Sequence, residues 1–157
     1  MGGPDIRIAT VDEAERLTRV INAAYIVERF FIDGDRTSVE TVRTMMTKGA
    51  FLALIDHGAI GACVYVELRG PRGYFGMLAV DPAHQGRGFG RALVDAAEDH
   101  ARAAGCRHMD IRVVNLRTEL PPFYQKLGYR EIGTEAGSDP RQTKPFHFVT
   151  MSKPLAP

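Results

Sequence analysis

The 157-residue chain predicts one domain of the α/β (α+β) class: a mixed, mostly antiparallel central sheet of about seven strands flanked by about four helices. Three observations predict it. Strand-length apolar runs follow one another at 51–55, 60–68 and 74–80, parted only by the turn-forming groups Asp56-His57-Gly58 and Gly70-Pro71-Arg72-Gly73. Amphipathic patterns of helical period stand on either side of this meander. Between its last run and the second long helix lies a glycine-rich loop, Gln85-Gly86-Arg87-Gly88-Phe89-Gly90-Arg91.

Taken in order, residues 5–9 alternate weakly and read as a short first strand. Thr10 and Glu13 form a capping box. Leu17, Val20, Ile21 and Ala24 then recur at helical spacing, so a helix is expected over about 11–25. Residues 26–37 are less regular, and Gly34 between Asp33 and Asp35 marks a turn or loop. Thr37 and Glu40 form a second capping box, opening a short helix with Val42, Met45 and Met46 that Gly49 ends in the usual manner of a C-terminal glycine. The three-strand meander follows. After the loop, Phe89, Leu93, Val94, Ala97, Ala101 and Ala104 share one helix face, and Gly105 takes the cap position. Residues 109–114 form the next strand, ending at Asn115. Pro121 and Pro122 suit the first turn of a helix, where a missing N–H costs little, and that helix carries Phe123, Tyr124 and Leu127 and stops at Gly128. A strand over 129–133, a loop over 134–145 and a last strand over 146–151 complete the order β-α-α-β-β-β-α-β-α-β-β.

Composition narrows the function. A hydrophobic fraction of 45% and a charged fraction of 25% are ordinary for a globular protein. A net charge of +1 argues against a general nucleic-acid or membrane-surface binder, which needs a basic excess. No apolar stretch approaches a membrane span, and the first five residues lack the basic and apolar regions of a signal peptide. Cys63 and Cys106 lie in or beside strands without metal-ligand spacing. Buried, reduced thiols and a cytoplasmic protein without a metal are therefore expected.

The loop carries the chemistry. Strand, glycine-rich turn and helix start together make an anion site: glycines admit close backbone approach, and first-turn amides point at negative charge. The spacing is G-x-G-x-G, with Arg91 where a dinucleotide fingerprint needs its last glycine, and no Gly-Lys-Ser/Thr follows. A tight turn without a ligand accounts for the same glycines. What the stretch resembles is the acetyl-CoA loop of the GNAT N-acetyltransferases, Gln/Arg-x-x-Gly-x-Gly/Ala, met by Gln85, Gly88 and Gly90. A second segment, Phe123-Tyr124-Gln125-Lys126-Leu127-Gly128-Tyr129, is similar to that family's FYxKLGF motif. The element order is also the family's, over nearly the whole chain.

The resemblance implies the GNAT acyl-CoA N-acyltransferase fold and an enzyme moving an acetyl group from acetyl-CoA to a primary amine by direct attack, through a tetrahedral intermediate. It implies that backbone amides from Gly86 to Arg91, Phe89 included, hold the coenzyme A pyrophosphate, with Gln85 steadying the loop and Arg87 and Arg91 near the phosphates. Leu78 and Val80 would bond the pantetheine arm, and Asn115 would meet the same arm. The Leu78 amide would face the oxyanion. Tyr124 would protonate the departing thiolate, as a phenol of pKa about 10 can. The interval 116–123 is longer than the commonest family spacing, and the two prolines start the helix later. A core tyrosine at 124 and a strand-end turn at Asn115 are the structural alternatives.

The base is not carried over, because the family glutamate position is Tyr74 here. Glu28, Glu67 and His147 are substitutes, as is a chain of waters. The acceptor site in such a fold is shaped by 25–37 and 134–147. Glu28, Asp33 and Asp35 beside Tyr25, Phe30 and Phe31 suit a cationic amine with an apolar body, while core phenylalanines and a solvated turn explain the same residues. The expected acceptor is a small-molecule amine. Transfer to a protein N-terminus or lysine, and a non-catalytic acyl-CoA-binding module, remain alternatives. A homodimer is common in the family, but no partner face is legible.

Overall fold

The computed structural model describes residues 4–155. Strands β1 (Asp5–Ile8), β2 (Ala50–Asp56), β3 (Ala59–Arg69), β4 (Arg72–Val80), β5 (His108–Val114), β6 (Arg130–Ala136) and β7 (His147–Pro154) form one sheet in the order β1-β2-β3-β4-β5-β7-β6. Helices α1 (Ala14–Ala24) and α2 (Val39–Met46) precede β2, α3 (Phe89–Ala103) joins β4 to β5, and α4 (Leu120–Lys126) joins β5 to β6. Among the described residues the only parallel neighbours are β4 and β5, because α3 supplies the long crossover that parallel strands need.

The strands of the meander are apolar on both sides because the sheet is covered on both. On one face, Leu93, Val94, Ala97 and Ala101 of α3 pack with Leu52, Val64, Val66, Phe75, Met109, Ile111 and Tyr129. On the other, Leu17, Val20 and Ile21 of α1 and Val42 of α2 pack with Phe51, Ala53, Cys63, Tyr65 and Ala79. Cys63 and Cys106 are buried free thiols. No helix among the described residues is long and apolar enough to cross a membrane.

The first capping box forms as the spacing requires. The Thr10 N–H donates to Glu13 Oε1 at 2.9 Å, and Arg7 reaches both oxygens of that carboxylate at 2.8 Å. These bonds, Arg7 first, hold the Glu13 carboxyl down at about 2 against an ordinary 4.5. The pair therefore stabilises the fold above pH 4.5 and loses its contribution as pH falls toward 2. Arg7 is 43% exposed, so solvent screening keeps the contribution small. Thermal midpoints should fall across that window, and Glu13→Gln should flatten this part of the curve; an unchanged curve would contradict the assignment.

Several boundaries differ from expectation. The first helix opens with a 3₁₀ turn, Val11–Glu13, and another, Tyr25–Glu28, follows α1. At α2 the cap is Ser38, not Thr37: Ser38 Oγ accepts from Thr41 N at 3.2 Å. Gly49 is not a left-handed cap. A Cβ there would lie 2.4 Å from the Val66 carbonyl and 2.8 Å from the Tyr65 ring, so it is glycine for space. Arg72 and Gly73 belong to β4, leaving Gly70 and Pro71 as the turn. β6 runs to Ala136, into the expected loop, because β7 pairs it up to His147. Gly105 and Gly128, at φ +91° and +100°, end their helices as the spacing predicts.

Candidate active site

The site begins where the sheet stops pairing. β4 and β5 share a ladder only over Arg72↔His108, Gly73↔Met109 and Tyr74↔Asp110. Beyond Tyr74 the two strands have no mutual pairing, and that edge of β4 is open. Opposite it, the β3–β4 register shifts between Cys63 and Tyr65: their partners are Ala79 and Gly76, so Met77 and Leu78 stand against Val64 alone. This is a β-bulge, and Met77 adopts φ +52° within it. The Met77 carbonyl accepts from Cys63 Sγ at 3.9 Å. In a trans peptide the carbonyl and the following N–H point opposite ways, so the Leu78 N–H is directed away from Cys63.

The loop comes next. Asp81 caps a 3₁₀ turn, Pro82–His84, through its side chain to Ala83 N at 2.9 Å. Gly86 and Gly88 follow at φ +81° and +77°, a region that only glycine enters at low cost. Gly88 is the N-cap of α3, so the unpaired first-turn amides and the positive end of a 15-residue helix meet this loop. Gln85 Nε2 donates to the Val80 carbonyl at 3.3 Å. The Phe89 side chain is buried in the core, which leaves its backbone to the loop. Arg87 turns back: it donates to Asp56 Oδ2 at 2.6 Å and lies over the Phe89 ring at 4.6 Å. Asp56, 4% exposed, also meets His84 Nδ1 at 2.9 Å. Arg91 is exposed on the first turn.

Two cavities meet here. One, of about 440 Å³, is lined by Val80, Gln85, Gly90, Arg117, Glu119 and Phe123. The other, of about 420 Å³, is lined by Glu28, Phe31, Arg36, Tyr74, Arg112 and Asp139, among others. Tyr25, Leu78, Leu120 and Tyr124 line both. Tyr124 packs against Phe123, Phe75 and Tyr129, with ring centroids 5.0–6.0 Å apart. Burial raises its hydroxyl pKa above the ordinary phenol value. The wall of the second cavity joins the two segments expected to shape it. Asp33 N donates to the Arg141 carbonyl at 2.9 Å, Thr143 N to the Phe31 carbonyl at 2.8 Å, and Ile32 bridges Gln142.

Of the candidate bases, Glu28 is in this site and Glu67 is not. Glu28 is 7% exposed, and Arg117 Nη1 donates to it at 2.7 Å. Burial pushes its carboxyl up against the opposing pull of Arg36 and Arg117. Glu67 accepts from Tyr65 Oη and Arg69 Nε at 2.7 and 2.8 Å, in a separate polar cleft, where Arg69 and Tyr65 hold its pKa down. His147 is exposed. Asn115 is occupied at the strand end: its Oδ1 accepts from His147 N at 2.8 Å, and it lines neither cavity. Asp33 and Asp35 also lie outside, exposed, with Asp35 paired to Arg29 at 3.0 Å. The aspartates are thus a solvated turn. Phe31 is core while Phe30 is 45% exposed.

Sequence reasoning missed Asp56, Arg36 and Arg117. Asp56 read as a turn residue, and its partners are 28 and 31 positions away. Arg117 lay inside the long interval before α4, where an arginine two residues from Glu119 was the one visible sign. Its side chain is 13% exposed and bridges Glu28 and Glu119.

Comparison with known proteins now bears on the geometry. A model of the acetyltransferase (GNAT) family matches residues 19–129. A mycothiol acetyltransferase of Propionibacterium freudenreichii subsp. shermanii is 36% identical over 70 residues, 45% of this chain and 22% of that protein. Glucosamine 6-phosphate N-acetyltransferase 1 of Oryza sativa subsp. japonica is 33% identical over 73 residues, 46% of this chain and 42% of its own. The chain thus spans less than half the length of these curated relatives. In fold it is similar to the ribosomal-protein-S18-alanine N-acetyltransferase of Escherichia coli, at a TM-score of 0.82 and 17% identity over 98% of this chain and 95% of that one. It is also similar to yncA of Salmonella typhimurium, solved with acetyl-CoA, at a TM-score of 0.77 and 18% identity over 99% and 96%. The two motifs, the sheet that opens beyond Tyr74 and the family match across most of the chain agree: this chain belongs to the acetyltransferase (GNAT) family.

Proposed function

We propose that the protein is an acetyl-CoA-dependent N-acetyltransferase acting on the primary amine of a small molecule. The observation that carries this reading is the junction of two cavities at Leu78 and Tyr124. One runs to the glycine loop and suits the donor. The other is walled by the paired segments 31–36 and 141–143, and its 420 Å³ suits a small acceptor. Acetyl-CoA supplies the acetyl group already activated as a thioester.

The chain's residues then divide the work. The amides of Gly86–Arg91 bind pyrophosphate at the positive end of α3, and Gln85 braces the loop. Arg87, held by Asp56, shapes the loop more than it grips phosphate. Leu78 and Val80, on the open edge of β4, offer backbone groups to the pantetheine arm. The Leu78 N–H faces the developing oxyanion, a role that contributes about 3 kcal/mol in comparable sites. Tyr124 gives its proton to the leaving thiolate.

Glu28 removes the proton of the incoming amine. An ammonium of lysine-like pKa costs roughly 4.6 kcal/mol to deprotonate at pH 7. A buried carboxyl with a raised pKa is the better base for it. Glu28→Gln is expected to lower kcat/KM at neutral pH by tenfold or more and to leave the KM for acetyl-CoA unchanged. The lost rate should return as pH rises and the free amine appears unaided. An unaltered rate would assign deprotonation to water.

Thiol release from acetyl-CoA with a panel of small amines tests the function itself. Amine-dependent release is expected. Acetyl-CoA binding without release under any amine would leave a binding module in its place.

A further inference from the structure

The acceptor-side cavity is not the acidic pocket that a purely cationic amine needs. Arg36, Arg112 and Arg141 line it against two carboxylates, Glu28 and Asp139. Four of these five already have partners. Glu28 is held by Arg117 at 2.7 Å, Asp139 by Arg141 at 3.2 Å, and Arg112 by Glu135 at 3.5 Å. Arg36 is the exception: it makes no ion pair or side-chain hydrogen bond among the described residues. Its Nε is buried without an acceptor, and the residue forms part of the cavity lining.

Arg36 is also held in place. Asn22 clamps the backbone of the next residue, with Oδ1 accepting from Thr37 N at 2.9 Å and Nδ2 donating to the Thr37 carbonyl at 3.1 Å. The guanidinium sits 5.3 Å from the centroid of the Tyr25 ring, and Tyr25 lines both cavities. An unpaired guanidinium fork, carried on an anchored backbone beside the reaction junction, suits a planar or tetrahedral oxyanion.

We propose that the acceptor is an amine that also carries an oxyanion, a carboxylate or a phosphate, and that Arg36 pairs with that group. This rests on the transferase reading for the word acceptor, but the binding site stands on Arg36 alone. Arg36 is then a specificity-determining residue, and the amine is left to Tyr124, Leu78 and Glu28 at the junction.

The test uses the whole chain with coenzyme A present and two readouts. Ligand-observed NMR binding and thiol release are measured for the common α-amino acids, their methyl esters, glucosamine 6-phosphate and glucosamine. At least one anionic amine should bind and react tenfold or more better than its uncharged counterpart. The amino-acid and sugar-phosphate arms separate carboxylate from phosphate. Arg36→Gln should erase that preference through KM, with acetyl-CoA binding unchanged, and Arg36→Lys should restore part of it. Preference for uncharged amines, or an anionic preference that survives Arg36→Gln, would overturn the proposal. Arg36-dependent binding without thiol release would uphold the oxyanion site and overturn the transferase reading. Thiol release with uncharged amines only would do the reverse.

Discussion

Tyr124→Phe is expected to lower kcat by on the order of 10²-fold while leaving acetyl-CoA affinity nearly intact. The figure lies at the low end of what general acids contribute, because a thiolate of pKa about 8.5 already leaves readily. The substitution is clean. The Tyr124 ring packs against Phe75, Phe123 and Tyr129, and phenylalanine keeps those contacts. The hydroxyl has no hydrogen-bond partner among the described residues, so its removal strands no donor in the protein. Burial keeps the phenol protonated throughout the neutral range, so the deficit should not vary with pH there. Pre-steady-state thiol release measures the chemical step directly. An unchanged rate would return Tyr124 to the core and leave the thiolate to solvent.

The second large effect belongs to the loop. Gly88→Val should raise the Kd for acetyl-CoA by tenfold or more. Gly88 sits at φ +77°, where a β-branched residue is a severe outlier and an ordinary one costs roughly 1–2 kcal/mol. A Cβ at Gly88 meets nothing within 4 Å, so the penalty is conformational rather than steric. The backbone relieves it by leaving the left-handed region, and the first-turn amides of α3 then lose their alignment. Gly70→Val is the control. It carries a like strain at φ +65° in the turn between β3 and β4, away from both cavities. Calorimetry should show weakened acetyl-CoA binding for Gly88→Val only, with both variants less stable to heat. Equal affinities would move the pyrophosphate away from the loop.

The residues that were legible in the sequence are those whose role is local. Leu17, Val20 and Ile21 announce a helix face by spacing, and all three are core. Gly86, Gly88, Gly105 and Gly128 occupy positive φ at the turn and caps where their neighbours require it. Long-range features were hidden. Nothing in Gly76-Met77-Leu78 announces a methionine at φ +52°, because the bulge is set by the register against Val64. The parting of β4 and β5 after three pairs depends on strands separated by α3. Asp56 meets His84 and Arg87, and Arg117 meets Glu28, across 28 to 89 positions, and no local pattern records such pairings. The acceptor side was legible only in part for the same reason. Asp33 and Asp35 stood out as neighbours of aromatic residues, yet the chain turns them to solvent and turns Arg36 inward.

A crystal structure with coenzyme A bound tests the account most directly. The prediction is that pyrophosphate oxygens lie within hydrogen-bonding distance of amides from Gly86 to Arg91. The pantetheine arm should run along β4 at Leu78 and Val80, with its sulfur beside Tyr124 Oη at the junction of the two cavities. A coenzyme seated away from the loop, or a sulfur remote from Tyr124, would contradict it.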